Sequence, residues 1–191
     1  MEQPEAAEAG RRKKEHNAMK EKEPVKGQCP AGSPTDVNRM QIEHRALWLG
    51  LIYDELVKSG IDAEACIRRA IRRCGTMHGA AFKAQCPNME EFRRVFLRDL
   101  SVNTFEMRPL DSGADALTVD FRYCPLVEAW KKMGFDGKTR ELLCDMAMEG
   151  DRGIAEAMGF TLELTETIAQ GHPSCTLRFS ASASSQRSPT A

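Results

Sequence analysis

The sequence has no apolar run approaching the ~18–20 residues of a bilayer-spanning helix, so nothing in it reads as a membrane span. Its N-terminus is charged and lacks the apolar stretch of a secretory signal, and the glutamates there argue against an organellar transit peptide. Excess charge of either sign is also missing: 27 Lys+Arg stand against 28 Asp+Glu, a formal net charge of -1. That balance calls for neither nucleic acid nor an anionic membrane as partner. No Cys-x-x-Cys pair occurs, which removes the usual short signature of a zinc or redox site. Seven cysteines without an export signal read as reduced thiols, and the expectation is a cytoplasmic protein without a disulfide framework.

What is present is enough for one domain. At 191 residues, 41% of them hydrophobic and 29% charged, the chain can bury a real core. Residues 1–38 are rich in Glu, Lys, Arg, Pro, Gly and Ala without an apolar stripe, and such a segment cannot offset its chain entropy. The Arg11-Arg12-Lys13-Lys14 run and Cys29 fall in this tail. Residues 181–191 are Ser/Ala-rich and read as a second tail, leaving residues 39–180 as a single domain.

That domain opens with helical periodicity. From about Val37 to Ser59, an apolar stripe runs through Met40, Leu47, Leu51, Ile52 and Leu56, with Gly60 placed to end the helix. Asp62 is placed to cap a second helix, whose apolar face runs through Ala63, Ile67, Ala70, Ile71 and Cys74. The pairs Arg68-Arg69 and Arg72-Arg73 on it read as a solvated face or an anion-binding one. Cys66 and Cys74 read as packing residues, because free cysteine behaves as a small buried hydrophobe. Gly75 and Gly79 flank His78 and permit close approach by a neighbour or a ligand. A third helix starts at Asn88, with Glu91 in capping-box position, and runs through Phe92, Val95, Phe96 and Leu100.

The period then changes. Asn103–Leu110 and Ala116–Tyr123 read as a hairpin around Asp111–Asp115, with Leu117, Val119, Phe121 and Tyr123 on one face and Pro109 marking an edge. Cys124 closes that hairpin, and Pro125 suits the first turn of a helix through Trp130. A helix from about Thr139 to Met158 follows, interrupted by Gly150 and Gly153. Phe160–Ala169 and Pro173–Phe179 form a last hairpin around Gln170-Gly171-His172. The order implies an α+β fold: an antiparallel sheet of about four strands, in two hairpins, packed against helices, with a helix-rich N-terminal half.

These segments carry a resemblance. DFRYCPLVEAWKKMG, the Leu-Cys…Asp helix and ETIAQGHPSCTLRF, together with IEHRALWLGLIYDEL and AIRRCGTMHG, resemble the L-2-amino-thiazoline-4-carboxylic acid hydrolase family over roughly Met40 to Phe179. The resemblance implies ring opening of a cyclic isothiourea: water adds at carbon 2, the ring C–S bond breaks, and N-carbamoyl-L-cysteine results. A thiolate that attacks carbon 2 would serve, as would a water activated by thiolate-bound zinc.

On the residues, Cys175 is the candidate nucleophile, His172 three residues before it the proton shuttle, and Asp151 the group that orients substrate or water. Cys124 sits at a helix start, where a thiol pKa is lowered. It joins Cys144 and His78 as a candidate substrate-binding residue, and Cys144 lies two helical turns from Asp151. Asp145 and Glu149 read as surface charges. Cys124, Cys144, His172 and Cys175 would be the ligands if zinc were used, but the reading adopted has no cofactor and no metal. The partner expected is a small-molecule substrate, with a homodimer compatible. A biosynthetic enzyme that makes or cleaves an amide or ring on the same scaffold, and a non-catalytic small-molecule sensor, are the rival readings.

Overall fold

The computed structural model describes residues 32–181 except Pro87 and Ser112; of the tails read at residues 1–38 and 181–191, the parts 1–31 and 182–191 lie outside the described residues. The chain forms α1 (Pro34–Lys58), α2 (Glu64–Gln85), α3 (Met89–Phe96), α4 (Asp99–Phe105), β1 (Met107–Asp111), β2 (Ala116–Phe121), α5 (Pro125–Lys132), α6 (Gly137–Ala147), α7 (Glu149–Met158), β3 (Phe160–Leu164), a 3-10 turn (Ile168–Gln170) and β4 (Cys175–Ala181). The fold is α+β, with an antiparallel sheet in the order β1-β2-β4-β3. Pro109 lies on edge strand β1, where its missing N–H costs no inner ladder bond. Among the described residues no helix is long and apolar enough to cross a membrane.

One face of the sheet makes the larger core. Leu117, Val119, Phe121, Cys175, Leu177 and Phe179 point into it against Phe92, Ala155 and Met158. Phe179 meets Phe92 and Phe96 edge-on, each at 5.1 Å between ring centres, a geometry worth about 1 kcal/mol beyond simple burial. A second core joins Ala46, Val127, Trp130, Leu143, Cys144 and Met146.

Helix α1 starts at Pro34, inside the segment read as tail, under a reciprocal capping box between Ser33 and Asp36. It turns a different face inward than its periodicity suggests. Ile42, Ala46 and Gly50 are buried, whereas Met40, Leu47, Leu51 and Ile52 are exposed. The reason is the closeness of α5. Trp130 Nε1 donates to the Ala46 carbonyl at 2.9 Å, and a Cβ on Gly50 would lie 2.8 Å from Phe135 and 3.1 Å from Met133. Only small residues fit at that crossing.

The crossing of α2 and α7 is tighter still. Gly75 and Gly79 of α2 are buried against α7, and a Cβ on Gly75 would overlap the Gly150 carbonyl. Gly153 lies in turn against the main chain of Arg72. The glycines thus serve a neighbouring helix, as their permissiveness allowed. Ala70 and Cys74, read as part of the packed face of α2, are exposed, as is Cys66.

Other boundaries moved. The third helix stops at Phe96, and Asp99–Phe105 is a separate helix rather than the start of a strand. There Thr104 Oγ1 donates to the Leu100 carbonyl at 2.6 Å and accepts from Asn38 Nδ2 at 2.8 Å. Glu106 adopts the left-handed conformation (φ 52°) and turns the chain into β1. The long helix from Thr139 is two, α6 and α7, broken at Met148 and not at either glycine. The last hairpin is looser than its two-arm reading, because Ile168–Gln170 coil into the 3-10 turn between β3 and β4.

Candidate functional site

Helices α6 and α7, the 3-10 turn and the ends of β2 and β4 bring thiols and carboxyls together. Cys124 is the N-cap of α5, Cys144 lies in the third turn of α6, and Cys175 opens β4. The Ile168 N–H donates to Cys175 Sγ at 3.1 Å. Burial pushes the Cys175 thiol up, the Ile168 contact opposes it, and nearby Asp120 adds to the rise. Cys124 is pushed up to about 11, again by burial. The N–H groups of Val127 and Leu126 at the start of α5 pull the other way, and Cys175 pushes it further up. Desolvation therefore outweighs the helix terminus that was expected to lower this thiol. Cys144 rises furthest, from burial first and then from Cys124, Cys175, Asp145 and Asp151.

Cys144 is accordingly the common neighbour: Cys124, Cys175 and Asp151 all lie near enough to raise it. Asp151 is pushed up to about 6 by burial, with its own backbone N–H and then Arg152 and Arg45 lowering it in part. No side-chain hydrogen bond among the described residues holds its carboxyl. Asp151 is a neighbour of Cys144 and does not contribute to the shift of Cys175, which feels Asp120 instead.

The structure thus brings Cys124, Cys144, Cys175 and Asp151 into one region and leaves both histidines out of it. His172 is exposed on the turn after Gly171, where its main-chain N–H donates to the Thr167 carbonyl at 3.2 Å. The group on Cys175 Sγ is a backbone amide, not an imidazole. His78 is exposed on α2, between the two glycines that face α7. Among the described residues no three His, Cys, Asp or Glu side chains are grouped so as to hold a metal ion, and the Cys124, Cys144, His172 and Cys175 tetrad is not assembled.

An open cleft of about 390 Å³ reaches Cys144 from the surface. Lys138, Glu141, Asp145, Arg152 and Gln170 line it with Cys144. Gln170 Nε2 donates to Glu141 Oε1 at 3.0 Å, tying the 3-10 turn to α6 across the cleft. Lys138, Glu141 and Gln170 escaped the sequence reading. The signal for the first two was there: Lys138, Glu141 and Cys144 recur every three residues along α6 and share a side of it.

The acids read as surface charges are structural. Glu149 accepts from Arg152 at 2.6 Å and from Arg72 at 2.8 Å; Asp145 pairs with Arg152 at 2.6 Å and Arg68 at 2.7 Å. Burial would raise both carboxyls, but these guanidinium contacts outweigh it and hold them below the usual range. Arg68 and Arg72 are thereby committed to ion pairs, while Arg69 and Arg73 stay exposed.

The family model of L-2-amino-thiazoline-4-carboxylic acid hydrolase matches residues 39–179. The chain belongs to that family. The match spans every element that builds the thiol cluster and the cleft. No curated protein matches closely enough to compare. Among solved structures, the chain is similar to a trafficking protein particle complex subunit 3 from Naegleria fowleri covalently bound to palmitic acid, at 12% identity and a TM-score of 0.48, covering 76% of this chain and 95% of that one. It is also similar to the phenol-responsive sensory domain of the transcription activator PoxR with phenol, at 16% identity and a TM-score of 0.42, covering 71% and 74%. Neither likeness is close enough to bear on the site of this family member.

Proposed function

We propose that the protein hydrolyses a small cyclic isothiourea of the 2-amino-thiazoline-4-carboxylate type, with Asp151 as the proton carrier. The observation that carries this reading is the cleft that reaches Cys144, with the raised Asp151 carboxyl close enough to that thiol to shift it, although Asp151 does not itself line the cleft. A general base works best when its pKa lies close to the working pH.

The substrate enters as the ring cation. Carbon 2 bonds one sulfur and two nitrogens and is electron-poor. Ionised Asp151 takes a proton from water as the water oxygen bonds to carbon 2. The tetrahedral adduct collapses: its hydroxyl loses a proton to solvent, a carbonyl forms, and the C–S pair leaves with sulfur. Asp151 returns its proton to that sulfur, which gives N-carbamoyl-L-cysteine. Lys138, which makes no ion pair among the described residues, is placed on the cleft to meet the substrate carboxylate. Cys144 supplies the soft wall against the ring sulfur, and Cys124 lies near it.

A second reading keeps Cys175 as nucleophile, and the Ile168 N–H on its sulfur favours it, because that contact supports a thiolate. The Cys175 sulfur would bond carbon 2, and its proton would pass to the ring sulfur as the ring C–S bond breaks. Water would then add to the same carbon of the amidino thioether, and collapse would return the Cys175 thiol and release N-carbamoyl-L-cysteine.

The two separate in one experiment: thiol release from L-2-amino-thiazoline-4-carboxylate, with product and protein masses. The general-base reading expects Asp151→Asn to lose 10²–10⁴-fold in kcat, the usual worth of such a base. It expects Cys175→Ala to keep most activity and no adduct to accumulate. An inactive Cys175→Ala variant and a mass adduct on the Cys175 peptide would transfer the role to the thiol. No thiol release from the unmodified protein would remove both.

A further inference from the structure

We infer that the outer face of α1 is the contact surface of a two-fold homodimer. The helix carries two apolar faces. The inner one uses small residues against α5, as described above. The outer one holds Val37, Met40, Leu47, Trp48, Leu51 and Ile52, all exposed, with Trp48 at 61% and Ile52 at 53%. These positions recur in steps of three and four residues and form one continuous stripe. The His44 ring packs on Trp48 with 5.2 Å between centres and extends it.

The size of the stripe argues for an occupant. Fractional exposure of its six residues amounts to roughly 500 Å² of apolar side chain, the upper end of what a monomer leaves open. Two such faces pressed together remove roughly 1,000 Å² before flanking groups are counted, which is where specific interfaces begin. The Trp48 indole lies inside the stripe, and Trp anchors dominate interface energy.

The identity of the occupant follows from chemistry and symmetry. Residues 1–31 offer only Met1, Met19, Val25 and Cys29 as large apolar groups, too few to line a helix-length stripe. A membrane surface favours a polar face rich in Lys and Arg, whereas α1 mixes Arg39, Arg45 and Lys58 with Glu43, Asp54 and Glu55. A single apolar helix face laid antiparallel on its own image is self-complementary about a two-fold axis. A second copy of this chain therefore fits best.

The test is sedimentation equilibrium of the full chain from about 1 to 100 μM, a range that brackets weak and moderate dimers, with Trp48→Glu and Leu51→Glu measured separately. Both residues are exposed, so the variants should keep the helical circular dichroism of the unmodified chain. The expected result is a concentration-dependent dimer weakened at least 100-fold by either change. Of the two tryptophans Trp130 is fully buried, so acrylamide should quench Trp48 in dilute protein and lose access to it as the dimer forms. A monomer throughout the range, a dimer indifferent to both substitutions, or flotation of the unmodified chain with phosphatidylcholine vesicles would each overturn the inference.

Discussion

Gly75 and Gly150 meet main chain to main chain, so that a methyl group on Gly75 would overlap the Gly150 carbonyl. The contact is one-sided: a Cβ on Gly150 would find only Ile71 Cγ2, at an ordinary 3.6 Å. Gly75→Ala should therefore cost about 1–3 kcal/mol by overpacking, even after the gain in helix propensity. Gly150→Ala should be neutral or stabilise by up to about 1 kcal/mol. Urea unfolding of both variants checks this, and equal losses would mean that the crossing is looser than the structure has it.

Asp151 makes stability fall as pH rises. Its folded pKa of about 6 lies above the ordinary carboxyl value of 3.8 that it has in the unfolded chain. The stability tied to its neutral form is complete below the unfolded value and is lost as pH climbs through the folded one. The total is on the order of 3 kcal/mol for such a separation. Asp151→Asn should flatten that part of the stability profile, and the same titration should set the acid limb of the activity. A profile unchanged by Asp151→Asn would mean that this carboxyl reaches water.

Glu149 acts with the opposite sign. Its folded pKa lies below its unfolded one, so its contribution is present above the unfolded value and lost as pH falls through the folded one. Glu149→Gln should cost about 1–3 kcal/mol near neutral pH, since it leaves Arg72 and Arg152 without their shared acceptor. Thermal melts at neutral and acid pH would show that cost shrinking on acidification. A cost that is independent of pH would assign it to packing instead.

The thiols should divide by burial. Cys66 and Cys74 are exposed on α2, while Cys144 and Cys175 are buried and Cys124 is raised to about 11. Brief alkylation of the native protein at pH 8 should mark Cys66 and Cys74 before Cys124, Cys144 and Cys175, which should resist until the chain is unfolded. Rapid labelling of Cys175 in the native state would revive the covalent route.

Strand β2 was legible in the sequence because period-2 alternation survives burial: Leu117, Val119 and Phe121 face the core as their spacing implied. The start of the first arm was not: the strand begins at Met107 and not at Asn103. Val102 and Thr104 are β-branched and look strand-like, but hydrogen bonds from Asn38, 66 residues away, and to Leu100 hold Thr104 helical. The face of α1 was misread for a related reason. Apolar periodicity marks where large residues lie, and the close crossing with α5 admits only Ala46 and Gly50.

In the site, positions at element ends and along one helical stretch marked Cys124, Cys144, Cys175 and Asp151 as candidates, and their convergence was left open by the sequence. The exclusion of His172 was not. Three residues before Cys175 is a close spacing only if the turn points its side chain inward, and the 3-10 turn presents Ile168 to the sulfur instead. The cleft depends on how α6 meets that turn, a relation between residues 29 apart for Glu141 and Gln170, and local pattern says nothing about such a distance.

The glycines at the α2–α7 crossing also act at a distance. Gly75 on α2 and Gly153 on α7 are bare where the two backbones touch, and they key α7 into α2 as a spline keys a shaft. A helix keyed in this way cannot roll about its axis. The packing that raises the Asp151 carboxyl therefore depends on two side chains that are not there.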